Sequence, residues 1–179
     1  MEDFVLKKFI SAEDISCKVK ELAKTIKSDC NGGSMLFVGV LKGAWMFMAD
    51  IVRYLEMPLE ISFIAVSSYR DGTSSTGVVR LLWDSDISME GKNVYIIEDI
   101  IDSGLTLQHL KKLFSVRNPK SINICCLLDK PSRRVVDLKP DYTGFTIPDE
   151  FIVGYGLDYD NKFRNLKDIH KLKFLSRGK

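Results

Sequence analysis

Val94-Tyr95-Ile96-Ile97-Glu98-Asp99-Ile100-Ile101-Asp102-Ser103-Gly104-Leu105-Thr106 is the stretch that decides how this chain is read. Val94 to Ile97 is apolar and predicts a buried strand. The strand runs into two adjacent acids, and a third follows three residues later. Ser-Gly-x-Thr then opens a helix predicted over Leu105 to Val116. Ser103 to Thr106 offers free backbone N–H groups, two hydroxyls and the positive end of a helix. Gly104 lets the backbone approach a ligand closely. Together they make an anion cradle of the P-loop kind without the P-loop lysine, suited to a monoester phosphate. Ionised Glu98 and Asp99 only accept hydrogen bonds. They suit sugar hydroxyls or a hard cation such as magnesium, held directly or through water. Asp102 is close enough to the cradle to act on a group one ribose away from the phosphate. The bland alternative is a solvated acidic turn capping a helix. Three acids with Ser-Gly-x-Thr directly after a strand make a more specific pattern than that.

Working outward, strand-like runs alternate with helix-length amphipathic segments. Ile15, Val19, Leu22, Ala23 and Ile26 recur at helical spacing, which predicts a helix over Ala12 to Lys27, with Ser11 as N-cap and Asn31-Gly32-Gly33 as its stop. Strands are predicted at Met35 to Val40, Ile61 to Val66, Val78 to Trp83 and Ile122 to Leu128. A second helix is predicted over Trp45 to Leu55, and short β-like runs at Tyr142 to Phe145 and Phe151 to Tyr155. Ile122 to Leu128 is apolar but for Asn123, as suits a parallel strand covered on both faces. The alternation predicts an α/β fold with an open, mostly parallel sheet and right-handed crossovers. Ligands in such sheets bind beyond the carboxyl ends of the strands. Functional residues are therefore expected just after Val40, Val66, Ile97 and Leu128.

A chain of 179 residues is long enough for one domain with a real core. With 26 basic and 24 acidic residues the net charge is +2, so the total charge gives no reason to expect nucleic-acid binding. Its apolar runs fall short of a membrane helix. The acidic start, Met1-Glu2-Asp3-Phe4, lacks a signal-peptide layout. Cys17, Cys30, Cys125 and Cys126 form no C-x-x-C pair, and two histidines leave little material for a zinc site. Cys125 and Cys126 lie in an apolar run and are expected to be core thiols. These features fit a reducing cytoplasm.

Glu98 to Thr106 resembles the phosphoribosyl pyrophosphate signature of type I phosphoribosyltransferases, and Glu-Asp-Ile-Ile-Asp-Ser-Gly-Leu-Thr-Leu is similar to the hypoxanthine-guanine branch. The resemblance runs from about Phe37 to the C-terminus. It implies one domain over residues 1–179, with a small hood made by the N-terminal segment and about 130–179. It implies transfer of a phosphoribosyl group from phosphoribosyl pyrophosphate to a 6-oxopurine, with Mg2+ as cofactor. The cradle of Ser103, Gly104, Leu105 and Thr106 would hold the 5-phosphate, with Asp102 as general base. Leu105 stands where some members carry lysine.

Val38 to Ala44 looks like the pyrophosphate loop, with Leu41, Lys42 and Gly43 as contacts and a Leu41–Lys42 peptide that can be cis. Arg164 matches a pyrophosphate-binding arginine. Ser68 and Tyr69 fall in a segment similar to a mobile lid. Lys130 resembles the lysine that donates to the 6-oxo group. Phe151 would stack on the purine, the main chain of Ile152 would read the base edge, and Asp158 would serve both base site and metal. The metal set implied is Glu98, Asp99 and Asp158. Arg133 and Arg134 follow, and either could be an ordinary exposed charge. The family suggests homodimers or homotetramers. Two rivals stay open: an enzyme preferring xanthine or a pyrimidine, and an RNA-binding, nucleotide-sensing regulator on the same fold.

Overall fold

The computed structural model describes residues 4–30, 32–71 and 74–175; the side chains of residues 68–79 lie outside the description. The elements in chain order are β1 (Phe4–Ile10), α1 (Ala12–Asp29), β2 (Met35–Leu41), α2 (Trp45–Leu55), β3 (Glu60–Asp71), β4 (Ser74–Trp83), β5 (Asn93–Ile101), α3 (Leu105–Ser115), β6 (Ser121–Asp129), β7 (Tyr142–Thr146), β8 (Ile152–Val153) and β9 (Ile169–Phe174). A single 3-10 turn covers Pro131–Arg133.

The main sheet has six strands in the order β4-β3-β2-β5-β6-β7. All neighbours are parallel except β3 and β4. The predicted α/β sheet is present, and an antiparallel hairpin closes one edge. Side-chain alternation along the strands divides the core in two. Phe37, Tyr95, Ile97, Cys125 and Leu127 face α1 and α2, where they pack with Ile15, Val19, Phe47 and Ile51. Leu36, Val38, Ile96, Ile124 and Cys126 pack with Leu107, Leu110 and Phe114 of α3. Both faces are covered, which is why β2 and β6 are almost uninterrupted hydrophobic runs. The Phe37 and Tyr95 rings stack at 4.8 Å, a contact worth about 0.5–1.5 kcal/mol beyond its buried area. Cys125 and Cys126 are core thiols as expected; burial raises both, Cys126 to about 12.

Helix starts follow local chemistry. The Ser11 hydroxyl accepts from Asp14 N–H at 3.1 Å, the N-cap bond expected of it. α3 instead begins at Gly104, whose φ of +83° is in the region that favours glycine.

The second sheet, β1-β9-β8, is antiparallel and joins the two ends of the chain, with Phe4 opposite Phe174. Sequence periodicity did not reveal β1 or β9. Lys7 and Lys8, and Lys171 and Lys173, interrupt their apolar residues, as suits strands with a solvated face. The segment after residue 130 is divided: β7 extends the main sheet, while β8 and β9 build the small one. No helix among the described residues is long and apolar enough to cross a membrane.

Asp168 ties the small sheet to α1. Its carboxylate accepts from Ala12 N–H at 2.8 Å and pairs with Lys8 at 2.9 Å. The hydrogen bond and charge of Lys8 hold the Asp168 carboxyl below its ordinary value of 3.8. A depressed carboxylate contributes stability above its unfolded pKa and loses it as pH falls through the folded one. Asp168→Asn should therefore lower Tm at neutral pH, and the gap from the parent should close as pH falls through and below 3.8. A gap unchanged across that range, measured by thermal melts, would refute the tie.

Candidate active site

The carboxyl ends of β2, β5 and β6 meet the hood loops at one edge of the main sheet. β5 runs on to Ile101, so Glu98 and Asp99 lie inside the strand rather than after Ile97 as expected. The cause is the ladder to β6, which continues through Ile101 opposite Asp129 and outweighs the polarity of the acids. Asp99 is buried, with 8% exposure. Glu98 is half-buried, but its Oε2 is enclosed without a partner. Burial and the Asp99 charge push Glu98 well above the ordinary glutamate range. Burial also raises Asp99, opposed by hydrogen bonds from Glu98 and Ile100 N–H and by the charge of Arg164. Burial disfavours ionisation of both carboxyls, and each one's charge disfavours that of its neighbour.

The loop after β2 lies against this pair. The Leu41–Lys42 peptide is cis, the geometry the resemblance allowed. Lys42 is exposed. Gly43 has no room for a side chain, since a Cβ there would sit 1.7 Å from Asp99 Oδ2. On its other side, a Cβ on Gly156 would come within 2.1 Å of the Gly43 carbonyl. Gly156 also accepts from Arg164 Nη1 at 2.7 Å, and Arg164 Nη2 pairs with Asp158 at 2.6 Å. Asp158 further accepts from Asn161 N–H at 2.9 Å. Arg164 is thus a partly buried structural pivot as well as a cation beside the loop.

Glu98, Asp102, Ser103, Gly104 and Thr106 line a concavity of about 120 Å³. Asp99 and Leu105 do not line it. Lys130 is 7% exposed, which overturns any reading of it as a surface lysine. Its ammonium stands 3.5 Å from Asp102 and 3.9 Å from Asp149. Phe151 is 48% exposed, so it is not core; its ring makes edge contacts with Tyr159 at 5.6 Å and Phe174 at 6.3 Å. Ile152 buries its side chain and pairs with Lys171 in the small sheet. Ser68 and Tyr69 sit on β3, with Ser68 opposite Val79, while their side chains lie outside the described residues.

Glu98 and Asp99 lie on β5 and Asp158 in the loop after β8; among the described residues no group of three or more His, Cys, Asp or Glu is placed to hold a metal ion. Asp158 is drawn to Arg164 and the acidic pair stays on β5. Two centres of hard oxygen donors, one with the unpartnered Glu98 Oε2, still suit magnesium, which commonly takes one or two carboxylates and completes its shell with water and substrate oxygens. Arg134 is not an ordinary exposed charge. It pairs with Asp129, and their side chains are 12% and 11% exposed. It also donates to the Asp102 carbonyl at 2.7 Å. Asp129 and Arg134 escaped sequence reasoning because a spacing of five residues across a turn carries no periodic signal.

A concavity at the carboxyl edge of a mostly parallel sheet, where an acidic strand end meets a helix N-terminus, places the chain among open α/β sheets that bind ligands at that edge. Residues 10–160 match the model of the phosphoribosyl transferase domain, and the chain belongs to that family. It is 50% identical over 173 residues to the hypoxanthine-guanine phosphoribosyltransferase of Bacillus subtilis (strain 168), covering 97% of this chain and 96% of that one. The crystal structure of a hypoxanthine-guanine phosphoribosyltransferase from Bacillus anthracis superposes with a TM-score of 0.89 at 48% identity, covering 96% of this chain and 99% of that one. That of a hypoxanthine phosphoribosyltransferase from Staphylococcus aureus gives 0.90 at 45% identity, covering 93% and 91%.

The Gly43 contact yields a direct test. Gly43→Ala should cost about 1–3 kcal/mol by overpacking. Thermal melts report it; an unchanged Tm would mean that the loop has slack the contact does not suggest.

Proposed function

We propose that this chain transfers the 5-phosphoribosyl group from phosphoribosyl pyrophosphate to hypoxanthine or guanine, giving IMP or GMP and pyrophosphate. The observation that carries this reading is the Lys130–Asp102 pair, a donor and an acceptor 3.5 Å apart beside a phosphate-sized concavity. A 6-oxopurine presents an acceptor at its oxo group and, in the N7–H form, a donor beside it. Lysine has three donors and no acceptor, so it favours the oxo group and disfavours the 6-amino group of adenine. The half-exposed ring of Phe151 offers a face for the base to stack on, and the main chain at Ile152 reads its edge.

Ser103 to Thr106 hold the 5-phosphate, which fixes the distance from the ribose to Asp102. N9 of the base attacks C1 of the ribose as the bond from C1 to the pyrophosphate oxygen breaks. Both electrons of that bond leave with pyrophosphate, and the N7 proton passes to the Asp102 carboxylate. The Lys42 loop and Arg164 stabilise the departing charge. Glu98, Asp99 and Asp158 are the residues that would hold magnesium, directly or through water. When bound, magnesium supplies charge neutralisation for the leaving group. The β3–β4 hairpin carrying Ser68 and Tyr69 is the segment that would exclude water. The enzyme would work as a homodimer or homotetramer in the cytoplasm, without nucleic acid.

Nucleotide formation should be followed with hypoxanthine, guanine, xanthine, adenine and uracil offered separately with phosphoribosyl pyrophosphate and magnesium. Conversion of hypoxanthine or guanine, with adenine and uracil inert, is expected. No product from any base, with RNA retarded in a shift assay, would favour the regulator instead. Asp102→Asn should lower kcat by about 10²–10⁴-fold; undiminished turnover would remove the general-base role. Lys130→Met should raise KM for hypoxanthine about tenfold or more while leaving that for phosphoribosyl pyrophosphate nearly unchanged. An equal rise in both would deny Lys130 its part in reading the base.

A further inference from the structure

Three consecutive carbonyls, from the last residue of β5 into the loop that follows, are held by one short segment. Ile101 C=O accepts from Lys130 N–H at 3.0 Å, and Ser103 C=O accepts from Val135 N–H at 3.1 Å. Between them, Asp102 C=O accepts from the Arg134 guanidinium at 2.7 Å. The first and last of these bonds are main chain to main chain. The middle one depends on a single side chain.

The peptides joining residues 101 to 104 are trans, since the cis bond among the described residues is Leu41–Lys42. In a trans peptide the N–H points opposite to the C=O. Three carbonyls turned towards 130–135 therefore turn the N–H groups of Asp102, Ser103 and Gly104 away from it. The concavity lies on that other side: Ile101, Asp102, Ser103 and Gly104 line it, and no residue of 130–135 does. Successive N–H groups facing one concavity make an anion site.

Arg134 is itself fixed. Its second nitrogen pairs with Asp129 at the end of β6, and both side chains are nearly buried. Its stem also covers Gly104, where an added Cβ would come 3.0 Å from Arg134 Cδ and 2.8 Å from Val136. A planar fork can hold a carboxylate and a carbonyl together, which an ammonium on a flexible stem does poorly.

We propose that Arg134, tethered by Asp129, is a positioning residue: it aims the amides at Ser103 and Gly104 at the phosphate of the sugar substrate and sets the backbone that carries Asp102. The identity of that phosphate rests on the function proposed above. The clamp also couples the two ends of the site, because Lys130 and Arg134 belong to the same segment. Lys130 meets the base while Arg134 shapes the phosphate cradle, so one turn of chain registers both.

The test uses the full chain and ribose 5-phosphate, followed by the backbone-amide NMR signals of Ser103 and Gly104. In the parent these signals should shift on titration. Arg134→Gln and Asp129→Asn should each weaken the binding by about tenfold to a hundredfold. Inosine, which lacks the phosphate, should bind parent and variants alike. Arg134→Lys keeps a cation beside Asp129 but loses the fork; it should show the same selective loss and serves if Arg134→Gln does not fold. Ribose 5-phosphate bound by the variants as by the parent would overturn the proposal. So would an equal loss of inosine and ribose 5-phosphate, or no response of the parent amides. If the parent converts no base yet its amide response depends on Arg134, the functional reading fails and the positioning role stands. If the parent converts hypoxanthine and the variants hold ribose 5-phosphate normally, the reverse is true.

Discussion

Gly43 is where three parts of the molecule come closer than side chains permit. Asp99 of β5 lies against it on one side and Gly156 of the hood on the other. An added methyl on Gly43 or Gly156 would overlap backbone or carboxylate, so the loop after β2 must be bare there. This steric constraint brings the ends of β2 and β5 and the Arg164 pivot into one site. The parallel sheet supplies the alignment, since parallel neighbours put the carboxyl ends of β2, β5 and β6 on one edge.

Charge is arranged around that contact with unequal burial. The acids on β5 are enclosed, and burial raises both above the ordinary carboxylate range. Asp102 is half-exposed and free to meet a ligand, while Lys130 beside it is almost covered. The exposed partner of the pair is thus the carboxylate, and the lysine is the enclosed one. Asp158 and Arg164 pair at 2.6 Å across the hood loop.

Much of this was legible in the sequence, for reasons that differ by element. α2 is found at its predicted bounds because a long amphipathic period bounded by turn residues is a strong local signal. β6 was legible as a buried parallel strand because both of its faces are apolar. The acidic strand end and the Ser-Gly-x-Thr turn were legible as an anion site because the chemistry is local. β1 and β9 were not, because their lysines break the apolar pattern and their stability comes from pairing across the whole chain. Lys130 needed the resemblance to be noticed, since its burial depends on Asp102 and Asp149, which are distant in sequence. The Asp129–Arg134 pair was missed: it is set by a turn, and turns leave no period.

The small sheet has a consequence for how the protein comes into being. Its middle strand is β9, with β1 on one side and β8 on the other. On the ribosome β1 emerges well before β9, so it has no partner until β9 has been made. The main sheet, through β7, can gather while the hood is still unmade. A nascent chain that has made β7 but not β9 therefore carries a cradle without its cover, and the site closes only when β1 and β9 pair.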